Sequence, residues 1–207
     1  MIHVLCPQDH PVNARVEEWV GAHAAAQLKR SREQLTGGDF LFLISCSEII
    51  SKEFRDRYRH VLVIHASDLP KDRGWSPHVW RILEGGNEMI VSLLECADPV
   101  DSGDIWHQER VELTGTETFD EISALLFDAE LRLMDWALEH GDTVQPRQQE
   151  GEPTYRRKRT PVDSQVDPDQ SIAEIFNLLR VCDPDRYPAF FEHRGAKYAL
   201  SIRRLDE

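Results

Sequence analysis

The chain has 207 residues, 24 of them Lys or Arg and 37 Asp or Glu, for a formal net charge of −13 at pH 7. That length supports one well-buried α/β core with an appendage, not two full-sized domains, and the acidic balance excludes a general nucleic-acid surface, which needs clustered Lys and Arg. No segment approaches the roughly 18 apolar residues of a membrane span, so no membrane partner is expected and cytoplasm is the expected location. The scattered Cys6, Cys46, Cys96 and Cys182 form no Cys-x-x-Cys pair and read as reduced thiols.

Apolar runs at Ile2 to Cys6, Phe40 to Ser45, Val61 to Ile64 and Met89 to Leu94 are short and rich in Val, Ile, Leu and Phe, the text of strands covered on both faces. Between the first two, Val12, Val16, Trp19, Val20 and Ala24 share one helical face. Ser76-Pro77 offers an N-cap and a proline at the first helical position ahead of Val79, Trp80, Ile82 and Leu83. Strands alternating with helices predict an α/β fold with a doubly wound, largely parallel sheet, in which ligands bind beyond the carboxyl ends of the strands. Ile105 to Leu113 adds an extended stretch. Thr118 with Glu121 then opens a helix whose stripe is Phe119, Ile122, Leu126, Ala129, Leu133 and Trp136. Residues 1–140 are thus expected to form the core. Residues 141–170, polar and carrying the basic island Arg156-Arg157-Lys158-Arg159, form an ordered arm or linker. Residues 171–207 form an extension with a helix opened by Ser171 and Glu174 and a hairpin from Phe190 to Ile202 around His193-Arg194-Gly195.

Four segments in order resemble the formyltransferase family that uses 10-formyltetrahydrofolate. Its members carry Asn-x-His with Ser-Leu-Leu-Pro, an Arg-Gly-x-x-Pro turn and Asp-x-Gly-x-Ile. Here these read Val63-Ile64-His65, Ser67-Asp68-Leu69-Pro70, Arg73-Gly74-Trp75-Ser76-Pro77 and Asp101-Ser102-Gly103-Asp104-Ile105. The family's catalytic asparagine is replaced by Val63. Tyr155 to Asp163, Asn177 to Arg180 and Tyr187 to Phe190 look like the segment that follows the catalytic core in members acting on nucleotide-linked amino sugars, and more loosely in methionyl-tRNA members. His65 comes early relative to the family, so one βα unit of the N-terminal half is expected to be lost or compressed.

The resemblance implies the formyl donor 10-formyltetrahydrofolate as co-substrate, no metal, and His65 and Asp101 as the catalytic pair. Formyl transfer needs a donor for the oxyanion of the tetrahedral intermediate and a route for the amine's proton. His65 supplies the first, and Asp101 orients the ring or takes the proton. The two side chains are expected within about 8 Å, close enough to share a water. With Val63 lacking a polar group, Ser67 or Ser45 is the candidate replacement donor. Folate would lie against two loops, Cys46-Ser47-Glu48-Ile49-Ile50 and Glu95-Cys96-Ala97-Asp98-Pro99-Val100. Substrate contacts are expected from Ser67, from Arg73 and Gly74 before a helix N-terminus, from Arg157 and Arg159 as diphosphate ligands, and from Asn177 with Arg180 on the polar side of their helix. The implied activity is N-formylation of a nucleotide-linked amino sugar for surface-glycan synthesis. tRNA-acting relatives have a longer C-terminal domain and a basic surface that this sequence lacks. The alternatives are a catalytically impaired folate or nucleotide-sugar binding protein and a formyl-donor hydrolase. A homodimer is compatible with all three.

Overall fold

The computed structural model describes residues 1–205. In chain order the elements are β1 (Ile2–Leu5), α1 (Asn13–Ala22), β2 (Ala26–Lys29), β3 (Gly38–Leu43), α2 (Lys52–Arg55), β4 (Tyr58–His65), β5 (Arg73–Gly74), α3 (Pro77–Leu83), β6 (Glu88–Glu95), β7 (Ile105–Glu112), α4 (Phe119–His140), β8 (Tyr155–Arg156), α5 (Ile172–Val181), β9 (Ala189–His193) and β10 (Ala196–Leu200). Six strands form the central sheet in the order β2-β1-β3-β4-β6-β7. The first four are parallel, and β6 and β7 join antiparallel. The sheet is thus mostly parallel, as the alternation of strand and helix text predicts. β2 was not among the expected strands. It is a four-residue edge of sequence Ala-Gln-Leu-Lys, too short and polar to announce itself.

Covered faces explain the unbroken apolar runs. In β3, Phe42 faces one layer with Val4, Leu62, Ile64, Val91 and Leu93, closed by Val16 and Trp19 of α1 and by Ile122, Leu126, Ala129 and Leu133 of α4. Leu41 and Leu43 face the other layer with Leu5, Leu35, Ile50 and Tyr58. Each buried Leu or Phe contributes about 1.5–3 kcal/mol, so strict apolar text on both sides of β1 and β3 is what the layered core requires. The capping boxes at Thr118–Glu121 and Ser171–Glu174 are both formed. Pro77 does open α3, but Ser76 adopts a left-handed conformation (φ 46°) and its side chain makes no cap hydrogen bond, contrary to the expected N-cap. The C-terminal hairpin closes on Arg194 and Gly195, both at positive φ, the two-residue turn whose twist matches paired strands. This extension packs with the end of the arm around a separate small apolar cluster, Val166 of the arm with Ile175, Leu179, Cys182 and Ala189.

One core position works against burial. Glu130 of α4 is 6% exposed, its Oε2 has no hydrogen-bond partner, and burial pushes its carboxyl up to about 8. The folded protein therefore keeps that proton through neutral pH, whereas an unfolded glutamate loses it near about 4.3. Below the unfolded value both states are protonated. As pH rises from about 4 towards 8 the unfolded state alone ionises, and stability falls. Glu130→Gln is expected to flatten this decline and to raise stability at pH 8 by more than about 1 kcal/mol. Urea unfolding at pH 5 and pH 8 checks it, and parallel declines in the two proteins would refute it.

Candidate active site

β4 delivers His65 at its carboxyl end. Side chains alternate along a strand, so Val61, Val63 and His65 share a face, opposite Leu62 and Ile64 in the main core. Asp101 lies in the turn between β6 and β7 at φ 58°, a left-handed conformation that aspartate tolerates better than most residues. The sheet places β4 beside β6, and this brings the two residues together. His65 Nδ1 stands 3.8 Å from Asp101 Oδ2, both residues 8% exposed.

Each partner is held. His65 Nε2 lies 3.1 Å from the carbonyl oxygen of Asp72. A carbonyl only accepts, so Nε2 carries a hydrogen and donates it there, and Nδ1 is the ring nitrogen turned towards Asp101. Asp101 Oδ2 accepts the Gly74 N–H at 3.0 Å, and Oδ1 receives no hydrogen bond from the described residues. The turn depends on close backbone approach, because a Cβ at Gly103 would stand 1.9 Å from the Glu95 carbonyl oxygen. Gly103→Ala is expected to cost about 1–3 kcal/mol or more through displacement of this turn, read as a lowered urea midpoint. An unchanged midpoint would mean that the turn yields freely.

Around the pair, Ser67 is 3% exposed and its hydroxyl is buried without a partner. Its carbonyl accepts the Ser92 hydroxyl at 2.7 Å, and Ser92 Oγ in turn accepts from Gln108 Nε2 at 2.8 Å. Ser45 is exposed at positive φ. Val63 is half-buried between two apolar groups, Leu69, Leu94 and Ile105 on one side and the layer of Ile50 and Leu43 on the other, the latter also touched by Cys46 and Cys96. No polar side chain takes the asparagine's place at residue 63. His78, at the start of α3, adds a second imidazole, whose value burial lowers to about 4.

The two loops expected to meet folate flank β4. Ser47 and Glu95 are exposed, Cys46, Glu48, Cys96 and Ala97 half-buried, and Ile50 is in the core. Ile49 and Val100 expose 65% and 57% of their surface. Each loop thus presents one exposed apolar side chain. All four cysteines are free.

Other expected substrate residues lie differently. Gly74 enters the site through its backbone N–H to Asp101. Arg73 is 8% exposed and turned inward, donating to Gln149 Oε1 at 2.6 Å and Tyr155 Oη at 3.4 Å. The basic island is not a free anion patch. The Arg157 fork grips Asp163, whose carboxyl this holds well below the usual range, and Arg159 donates to the Asp163 carbonyl at 2.7 Å. Nor do Asn177 and Arg180 present a polar face. Arg180 is 1% exposed, bound to Asn177 Oδ1 at 2.9 Å and 3.5 Å from Glu117 Oε2, because it locks α5 onto the loop before α4. The sequence reading passed over Asp72, Gln149 and Thr154. Asp72 stood in a turn that already suggested a site, but nothing in the local text marks the other two.

Among the described residues no helix is long and apolar enough to cross a membrane, and no three His, Cys, Asp or Glu side chains gather as a metal-holding group.

A formyl transferase family model matches residues 17–138, a span that contains both His65 and Asp101. Among curated relatives, a methionyl-tRNA formyltransferase from Francisella philomiragia is 31% identical over 159 residues, 76% of this chain and 50% of that protein. Its counterpart from Acidobacterium capsulatum is 29% identical over 180 residues, 85% of this chain and 57% of that one. The chain therefore spans about half the length of the curated relatives it matches. Among solved structures, the methionyl-tRNA formyltransferase from Clostridium thermocellum superposes with a TM-score of 0.83 at 22% identity, covering 100% of this chain and 94% of that one. A sugar N-formyltransferase from a Shewanella species gives 0.75 at 15% identity, covering 100% and 99%. HypX from Aquifex aeolicus in complex with tetrahydrofolic acid gives 0.79 at 18%, covering 97% and 37%. These structural likenesses are of fold. The family model covers more than half of the sequence and spans both members of the buried histidine–aspartate pair, and the chain belongs to the formyl transferase family.

Proposed function

We propose that this chain transfers a formyl group from 10-formyltetrahydrofolate to the amine of a small nucleotide-linked amino sugar. The observation that carries the reading is the His65–Asp101 pair, 3.8 Å apart, shielded from bulk water and flanked by the two loops with exposed apolar side chains. The amine nitrogen attacks the formyl carbon and forms the new C–N bond, and the oxyanion develops beside His65. Collapse breaks the bond from that carbon to the donor nitrogen, so tetrahydrofolate leaves with a proton. The proton lost by the amine passes to the free oxygen of Asp101, directly or through water, and from there to the donor nitrogen, so that it leaves as the N–H of tetrahydrofolate and the carboxylate is restored. A small acceptor is favoured over RNA by the net charge of −13 and by a basic island in which Arg156 and Arg157 are already paired with the carboxylates of Asp72, Glu84 and Asp163.

The test is spectroscopic detection of tetrahydrofolate release against a panel of nucleotide-linked amino sugars, with methionyl-tRNA and water as the other acceptors. Turnover that depends on one amino sugar is the expected result. Turnover with methionyl-tRNA alone would overturn the acceptor class. The apolar setting of Val63 favours a second reading, in which the pocket binds the formyl donor and transfers it slowly to water or not at all. Donor binding with release independent of any amine would select it.

A further inference from the structure

The arm that follows α4 does more than connect. Arg147 exchanges two backbone hydrogen bonds with Ile105, at 2.8 and 2.9 Å, at the start of β7. Seven residues on, Thr154 accepts the Asp72 N–H at 2.8 Å through Oγ1, and its carbonyl accepts from Arg73 at 2.9 Å. Arg156 Nε donates to the Asp72 carboxylate at 2.6 Å, and Tyr155 and Arg156 pair with Arg73 and Gly74 as a two-stranded ribbon. One strap thus crosses both catalytic loops. Its end at Thr154 and Arg156 fixes Asp72, whose carbonyl holds His65.

Midway along it, Gln149 donates from Nε2 to two carbonyls, Asp101 at 2.9 Å and Gly103 at 2.8 Å, and accepts the Arg73 guanidinium on Oε1 at 2.6 Å. The amide orientation is unambiguous. Both carbonyls can only accept and a guanidinium can only donate, so all three contacts are satisfied in this orientation alone. The two carbonyls bracket the turn in which Asp101 sits at positive φ and in which Gly103 lies against the Glu95 carbonyl. Arg73 has no carboxylate partner among the described residues, which leaves Gln149 as its principal acceptor.

We infer that Gln149 is a positioning residue for formyl transfer: its amide clamps the Asp101 turn from the main-chain side, so that the carboxylate stays on the Gly74 N–H and beside His65. The inference rests on the reading of Asp101 as the proton acceptor, and it adds a residue that touches no substrate and acts through Asp101. A side chain that merely fills space or neutralises Arg73 differs from a clamp in a measurable way. Gln149→Glu keeps the shape and strengthens the pairing with Arg73, yet a carboxylate cannot donate to either carbonyl.

The experiment uses the full chain and two readouts. One is the amide exchange rate of Gly74, whose N–H reports on Asp101 Oδ2 and needs no substrate. The other is kcat and KM for tetrahydrofolate release from 10-formyltetrahydrofolate with the best acceptor of the panel, water included. Gln149→Glu is expected to melt within a few degrees of the wild type, to exchange Gly74 at least about tenfold faster, and to lose at least about tenfold in kcat with the donor KM little changed. Should the new charge lower the melting temperature, Gln149→Met, of similar length without donor or acceptor, carries the same expectations. Wild-type Gly74 protection in both variants overturns the inference, and so does faster exchange with unchanged kcat, since the turn's placement would then not matter to the reaction. Asp101→Asn is measured alongside. If it turns over like wild type, the reading of Asp101 fails and the inference falls with it. If it is inactive while Gln149→Glu is fully active, the positioning role alone fails.

Discussion

Turnover should fall at least about a hundredfold when His65 is replaced by alanine or Asp101 by asparagine, with folded yield little changed. The asparagine variant is the sharper of the two. Oδ2 of Asp101 accepts the Gly74 N–H, and an asparagine must offer its own oxygen there, because its NH2 group would meet another donor. That leaves the NH2 at the position of the free carboxylate oxygen, where it cannot receive the amine's proton. His65→Ala removes the ring between the Asp72 carbonyl and Asp101 and leaves the carbonyl to water. Because the two side chains serve one proton path, the double variant is expected to be scarcely slower than either single one. Single-turnover release of tetrahydrofolate, with circular dichroism to confirm the fold, measures all three. Near-wild-type turnover in either single variant would move the chemistry elsewhere in the molecule.

Val63→Asn is expected to act in two directions at once. Where a formyltransferase has its full set of oxyanion donors, one donor is worth about a hundred- to a thousandfold in kcat, and Val63 supplies none. An asparagine on the His65 face of β4 should therefore raise turnover, by at least about tenfold if the natural protein is weakened by the missing donor. Stability should fall by about 1–3 kcal/mol, because Leu69, Leu94 and Ile105 on one side and Leu43 and Ile50 on the other offer the new amide few partners. Parallel urea unfolding and tetrahydrofolate-release assays separate the effects. A fully active natural protein that slows on this substitution would show that another donor stabilises the oxyanion, and the orphaned Ser67 hydroxyl is the nearest candidate in sequence. Ser67→Ala would then abolish what Val63→Asn had failed to improve.

The strands β1, β3, β4 and β6, the long helix α4 with its capping box, and the C-terminal hairpin were legible because their signals are local. Apolar runs mark strands covered on both faces, a three-and-four spacing marks one helical stripe, and a two-residue turn at Arg194-Gly195 marks a hairpin. The histidine and aspartate were legible for a different reason. Each lies within a short stretch of fixed spacing at a strand end, and in a mostly parallel sheet strand ends are where ligands gather. What misled was polarity taken at face value. Arg180 and Asn177 look like a solvent-facing pair i, i+3 apart, yet Glu117, 63 residues earlier in the chain, meets the arginine in the interior. Arg157 and Arg159 look like an anion patch until Asp163 folds back onto them.

The sequence by itself determined the layered core, because that follows from residue type and near-neighbour spacing, and its resemblance to the formyltransferase motifs pointed to the two segments that hold His65 and Asp101. Only the tertiary structure decided how those segments are held. Nε2 of His65 carries a hydrogen because the Asp72 carbonyl faces it, and Asp72 is fixed by Thr154 and Arg156 from the arm, more than eighty residues away in sequence. Gln149 is one amide in a polar stretch that no periodicity or motif distinguishes. A hydrogen bond depends on where donor and acceptor meet in space, and chain order says nothing about that meeting until the sheet has set β4 beside β6 and the arm has been drawn across their ends.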